Sequence, residues 1–154
     1  MLNVGDVAPD FRLKNQNNQL ISLGQYKGKW IITYFYPKAL TSGCTVQACA
    51  VRDHKNDWAG LNAVVLGISP DKPELLKKFE RAENLNFQLL SDSEHKAAEA
   101  YGVWQEKSMY GRTYMGMVRS TFIIGPDGLV AKVFPKVTPK THADEVMDWL
   151  KEHQ

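Results

Sequence analysis

The sequence predicts an α/β fold in which a central mixed sheet is flanked by helices and preceded by an N-terminal β-hairpin. Three observations carry this. Trp30–Tyr36 is an unbroken β-branched and aromatic run of strand length and Val64–Ile68 a short run without polar residues, the pattern of strands buried on both faces. Segments with apolar residues at helical spacing fall between such runs. Late in the chain, Gly125-Pro126-Asp127-Gly128 separates two further strand-like runs and is the clearest hairpin signal present.

Taken in order, Phe11–Leu13 and Leu20–Ser22 flank the turn-forming Asn15-Gln16-Asn17-Asn18 and form the opening hairpin. Trp30–Tyr36 is a buried strand stopped by Pro37. Thr45–Gly60 has helical composition, with Gly60 placed to cap it. The Val64–Ile68 strand follows. A helix then starts at Asp71-Lys72-Pro73-Glu74, with Asp71 as cap, Pro73 in the first turn and Leu75, Leu76, Phe79 and Ala82 as its apolar face. Phe87–Leu90 is a strand, and Glu94–Tyr101 a short helix closed by Gly102. Ser120–Ile124 and Leu129–Phe134 form the late hairpin. A last helix after Thr141 places Ala143, Val146, Met147 and Leu150 on one face. Strands alternating with helices imply a mainly parallel sheet covered on both faces, in a thioredoxin-like arrangement.

The 154 residues suit one domain, residues 1–154, with no repeat, low-complexity tract or linker to divide it. A composition of 44% hydrophobic and 23% charged residues is that of a globular protein rather than a disordered one. Nineteen Lys and Arg against 17 Asp and Glu leave a net charge of +2, too little to point to nucleic acid or a membrane surface as partner. The opening MLNVGDVAPD has neither a basic nor an apolar region of the secretory kind. No apolar run approaches the roughly 20 residues of a membrane span. These features together predict a cytoplasmic protein, where two cysteines point to chemistry rather than to a disulfide scaffold.

The chemistry centres on Pro37-Lys38-Ala39-Leu40-Thr41-Ser42-Gly43-Cys44-Thr45-Val46-Gln47-Ala48-Cys49, which leads from a buried strand into a helix. Sites in α/β sheets gather at such carboxyl ends of strands. In the first helical turn, free N–H groups and the helix dipole favour an anion, so Cys44 is the candidate nucleophile. Cys49 stands five residues on. In a regular helix the two Cα atoms would lie roughly 8.7 Å apart, beyond the roughly 4.4–6.8 Å of a disulfide. A Cys44–Cys49 bond therefore requires the helix to unwind. The spacing is not Cys-x-x-Cys, and zinc lacks a fourth ligand beyond Cys44, Cys49 and His54. Spacing alone leaves open whether the pair is reactive or two small buried hydrophobes.

A resemblance decides between these. Pro37, Thr41 and Cys44 match the Pro-x-x-x-Thr-x-x-Cys pattern of peroxiredoxins. The runs Tyr34–Ala39, Gly43–Cys49, Leu66–Ser69, Leu89–Asp92, Tyr101–Trp104 and Glu106 to Arg119 are similar to the bacterioferritin-comigratory-protein (peroxiredoxin Q) type. The likeness spans nearly the whole chain. One position departs from it: Ser42 stands where the family usually has proline before Gly-Cys.

The resemblance implies a peroxidase acting on hydrogen peroxide and organic hydroperoxides. Cys44 would attack the peroxide and become a sulfenic acid. Arg119 would stabilise the thiolate and the leaving oxygen, although outside the family it reads as a surface arginine opening a strand. Thr41 would accept from the peroxide and donate to the thiolate, a role compatible with capping the helix. Pro37 would shield the sulfur, and the N–H groups of Gly43 and Cys44 would bind the peroxide. Cys49 would resolve the sulfenic acid as an intramolecular disulfide, recycled by thioredoxin or a similar dithiol protein. No metal, haem or flavin is implied, and the subgroup resemblance leans to a monomer. The alternatives are a general thiol–disulfide oxidoreductase and a non-catalytic redox sensor or holdase. Gln47, one helical turn after Cys44, has two readings, a brace for Arg119 and a solvated helix position, of which the second is preferred. Elsewhere the plain reading holds: His95, His142 and His153 at the surface, and Trp30, Trp58 and Trp149 in the core.

Overall fold

The computed structural model describes residues 1–154 and contains nine strands and five α-helices. Seven strands form one sheet in the order β2-β1-β5-β4-β3-β8-β9. These are β1 (Arg12–Asn15), β2 (Leu20–Ser22), β3 (Trp30–Phe35), β4 (Ala63–Ser69), β5 (Gln88–Ser91), β8 (Ser120–Ile124) and β9 (Val130–Phe134). Only the β3–β4 and β4–β5 pairings are parallel, and the other four are antiparallel. The sheet is therefore mixed, and less parallel than the alternation of elements suggests. The reason is that the opening hairpin joins it through β1, antiparallel to β5.

Residues of β3, and Tyr36 just after it, alternate between two cores. Ile32, Tyr34 and Tyr36 pack with α1 (Ser42–Asp53), α3 (Pro73–Glu83) and α5 (His142–Glu152) through Ala48, Val51, Leu76, Phe79, Val146 and Leu150. Ile31 and Phe35 face the other side, with Leu66, Ile68, Leu90, Phe122 and Tyr101, which follows α4 (Lys96–Ala100). Gly67 of β4 lies against the Tyr34 ring, where a Cβ would stand 3.0 Å from its atoms. No helix is long and apolar enough to cross a membrane.

Two local expectations are corrected. The helix over 45–60 is two: α1 ends at Asp53, and α2 (Lys55–Gly60) begins after His54. The His54 ring contacts both Asp57 and Asp144 at this corner, tying it to α5. Asp71 does not cap α3, whose N-cap is Lys72. Its carboxylate instead accepts from the Ala39 N–H at 2.7 Å and the Ser69 hydroxyl at 2.9 Å.

The stretch from Trp104 to Met117 forms a separate two-stranded ribbon, β6 (Trp104–Met109) and β7 (Arg112–Met117), which the periodicity does not announce. Most of its residues are exposed or half-buried, so it lacks the apolar alternation of a core strand. Its turn is Tyr110-Gly111, both residues having positive φ.

Candidate active site

The site forms where β3 gives way to α1. Pro37 ends the strand, and the loop that follows is pinned by the Ala39–Asp71 hydrogen bond. Leu40 adopts φ 66°, a left-handed conformation uncommon for leucine, with its side chain partly exposed. Thr41 is the N-cap of α1 in extended conformation, with φ −85° and ψ 156°. Its hydroxyl donates to the Lys38 carbonyl at 2.8 Å. It thus closes the loop on itself, neither capping the helix nor donating to the thiol.

Helix α1 begins at Ser42, and its first ladder bond runs from the Thr45 N–H to the Thr41 carbonyl. The N–H groups of Ser42, Gly43 and Cys44 precede that bond and lack intrahelical acceptors. Cys44 lies in this first turn, as its position after the strand predicts, and is 1% exposed. Its Sγ accepts from Arg119 Nη2 at 3.1 Å. Arg119, between β7 and β8, comes 75 residues later in the chain, so tertiary folding alone brings the two together. Gly43 lines the same space, its Cβ position 3.5 Å from Arg119 Nη2 and 3.7 Å from Pro139.

Two residues read as solvated belong to this cluster. Gln47, one turn beyond Cys44, is fully buried, and its Oε1 accepts from Arg119 Nη1 at 2.6 Å. The i, i+3 spacing to Cys44 was the available signal, since it places both on one helix face. His142 is 1% exposed rather than at the surface. Its Nε2 is 2.7 Å from Thr121 Oγ1, and its ring packs near Tyr34. Burial, with Arg119 nearby, pushes the imidazole down to about 4, so His142 is neutral at physiological pH. Lys107 of β6 also feels the site: burial and then Arg119 lower its pKa, while Cys44 acts in the opposite sense.

Cys49 is half-buried on the same helix, and both cysteines are free thiols. Its thiol donates to Glu83 Oε2 at 3.5 Å, away from Cys44. No group of three or more His, Cys, Asp or Glu side chains is arranged to hold a metal ion. His95 is half-buried and stacks on Trp104, and exposed His153 stacks on Trp149. The arrangement can carry nucleophilic attack by sulfur. The Arg119 guanidinium and the free N–H groups of the first helical turn are donors aimed at the sulfur, and the same donors meet charge that develops on a substrate oxygen.

Comparison with known proteins defines the class of this site. Residues 4–133 match the AhpC/TSA family, and the chain belongs to that family. Peroxiredoxin Bcp of Escherichia coli is 47% identical over 152 residues, covering 99% of this chain and 97% of that one. Peroxiredoxin Bcp of Bacillus subtilis is 46% identical over 151 residues, covering 98% and 96%. Among solved structures, the bacterioferritin comigratory protein of Xanthomonas campestris superposes with a TM-score of 0.89 at 32% identity, covering 93% of this chain and 91% of that one. That structure was studied for alkyl peroxide reduction. The fold is thus the thioredoxin-like fold of peroxiredoxins, and the protein is a thiol peroxidase, an oxidoreductase of peroxides.

Proposed function

We propose that Cys44 is the peroxidatic cysteine, and the observation that carries this is the contact of its buried sulfur with half-buried Arg119 at 3.1 Å in the first turn of α1. The thiolate sulfur attacks one peroxide oxygen and the O–O bond breaks. The other oxygen leaves with the bonding pair, takes a proton and departs as water or an alcohol. Cys44 is left as the sulfenic acid. Arg119 and the Gly43 and Cys44 N–H groups face the charge that moves from sulfur to oxygen. Pro37 walls the loop, and Thr41, whose proton is engaged by Lys38, serves as an acceptor for the peroxide proton.

Cys49 is the resolving cysteine in this reading. Both cysteines sit on one continuous helix, Ser42–Asp53, so the disulfide forms only after α1 unwinds locally. The unwound disulfide is then reduced by a dithiol protein of the thioredoxin kind. The substrates are hydrogen peroxide and organic hydroperoxides, the latter in keeping with the X. campestris relative. The working unit is a cytoplasmic monomer of one domain.

The test is a single-turnover reaction of reduced protein with stoichiometric hydrogen peroxide, followed by tryptophan fluorescence and intact mass. Wild type loses two hydrogens rapidly, Cys49→Ser accumulates a sulfenic acid, and Cys44→Ser is silent. Oxidation no faster than that of a free thiol in all three would remove the peroxidatic role from Cys44. Consumption of many equivalents of peroxide with a recycling reductant separates the enzyme from a sensor.

A further inference from the structure

The C-terminal half of α1 is fastened to the end of α3 at three points. Cys49 donates to Glu83 Oε2 at 3.5 Å. Arg52 Nη1 donates to the Glu83 carbonyl at 2.6 Å. Asn86 Nδ2 donates to the Arg52 carbonyl at 3.2 Å. All three lie on the turn that must leave the helix if Cys49 is to reach Cys44, and only the first involves sulfur.

We infer that Glu83 is a positioning residue for the second half of the reaction: it holds Cys49 as a protonated thiol against α3, and this contact parts before the sulfur can attack Cys44. The inference rests on the proposed resolving role of Cys49. A carboxylate beside a thiol opposes ionisation twice, by accepting the S–H hydrogen bond and by repelling the thiolate. The charged or titratable groups around Cys49 are Arg52 and Asp53 on α1, Glu83 on α3 and the buried Tyr34 on β3. Burial pushes the thiol up, the Glu83 hydrogen bond adds to it, and Arg52 pulls the other way. When the turn unwinds, burial and Glu83 are lost together. The Cys49 sulfur then forms the S–S bond, the Cys44 S–O bond breaks, and the hydroxide leaves as water with the proton Cys49 gives up. Glu83 ends as it began, a carboxylate. Cys49 is thus a quiet thiol on the folded helix and a nucleophile only on the unwound one.

The test uses the Cys44→Ser protein, in which Cys49 is the one remaining thiol. Its alkylation by iodoacetamide is followed against pH, alone and with Glu83→Gln or Asn86→Ala. Glu83→Gln lowers the midpoint by about one pH unit, a tenfold gain in thiolate fraction. It raises alkylation near neutral pH roughly threefold, because a less basic thiolate is also less nucleophilic. Asn86→Ala loosens the same turn without touching the charge and leaves the midpoint in place. An unmoved midpoint in Glu83→Gln, or an equal shift in Asn86→Ala, would overturn the inference. In the two-cysteine protein, Glu83→Gln speeds disulfide formation after one equivalent of peroxide. A disulfide in wild type with an unmoved midpoint would overturn the part of Glu83 alone. A shifted midpoint with no disulfide would overturn the gate and the resolving role together.

Discussion

Gln47 and Arg119 are joined by a half-buried hydrogen bond of 2.6 Å, which fixes the guanidinium whose other nitrogen reaches Cys44 Sγ. An arginine side chain has several rotatable bonds, and without a brace its head would sample positions that miss the sulfur. Gln47 supplies the brace from the helix that carries Cys44, so nucleophile and cation move as one unit. Arg119→Ala slows Cys44 oxidation by about 100- to 1000-fold, the usual loss for a donor aimed at developing charge. Gln47→Ala slows it roughly tenfold, through misplacement rather than loss of charge. The check is a double-mutant cycle: once Arg119 is absent, removing Gln47 costs nothing further. Additive losses would give Gln47 a role independent of the arginine.

Ser42 is the position that departs from the family pattern, and the backbone around it is already shaped for proline. It is the first residue of α1, where a proline removes only an N–H that lacks an intrahelical acceptor. Thr41 before it is extended, at φ −85° and ψ 156°, the conformation a following proline imposes. Ser42→Pro therefore stabilises the protein by about 0.4–1 kcal/mol by restricting the unfolded chain. Urea unfolding measures it, and a destabilisation would mean that the Ser42 conformation is not the one described.

How much of this was legible from sequence follows from what each residue's partners are. Cys44 at a helix start is a local fact, readable from a buried strand, a Pro stop and a polar loop. The late hairpin was announced by its turn residues. Arg119 was not readable from the residues alone, because its role depends on a contact 75 positions away; only the family pattern supplied it. For Gln47 and His142 the plain local reading fails for a shared reason, although helical spacing does offer Gln47 as a brace for the arginine. A polar side chain at a helical position reads as solvated unless its tertiary partner, here Arg119 and Thr121, is known. Asp71 reads as a helix cap in any local window, but the Ala39 N–H across the loop takes its carboxylate instead. The β6–β7 ribbon has so little burial that hydrophobic periodicity has nothing to record.

His142 makes stability depend on pH with a definite sign. Burial holds the folded imidazole at about 4, against 6.5 for an ordinary histidine. Between those values the unfolded chain binds more protons than the folded one, so stability rises with pH. The contribution is complete above pH 6.5 and is lost as pH falls toward 4. The loss is on the order of 3 kcal/mol, each pH unit between the two values being worth about 1.4 kcal/mol. His142→Asn does not titrate in this range. The difference in unfolding free energy between wild type and variant, measured by urea titration at several pH values, should narrow by that amount on acidification. A difference that stays flat would place His142 in a solvated or charge-compensated setting.

Asp71 connects the stability of the fold to the chemistry of the loop. Its carboxylate is the acceptor for the N–H of Ala39, itself only 2% exposed, five residues before Cys44. Asp71→Ala leaves that donor buried and unpaired, at a cost of about 1–3 kcal/mol. Asp71→Asn keeps an oxygen in place and recovers most of it. Because Ala39 anchors the loop from Pro37 to Thr41, the alanine variant also slows peroxide-dependent oxidation of Cys44, in the same order as it loses stability. Urea unfolding and stopped-flow fluorescence on the two variants test both halves. If Asp71→Ala lost stability but oxidised at the wild-type rate, the loop would be held for catalysis by the Thr41–Lys38 contact rather than by Asp71.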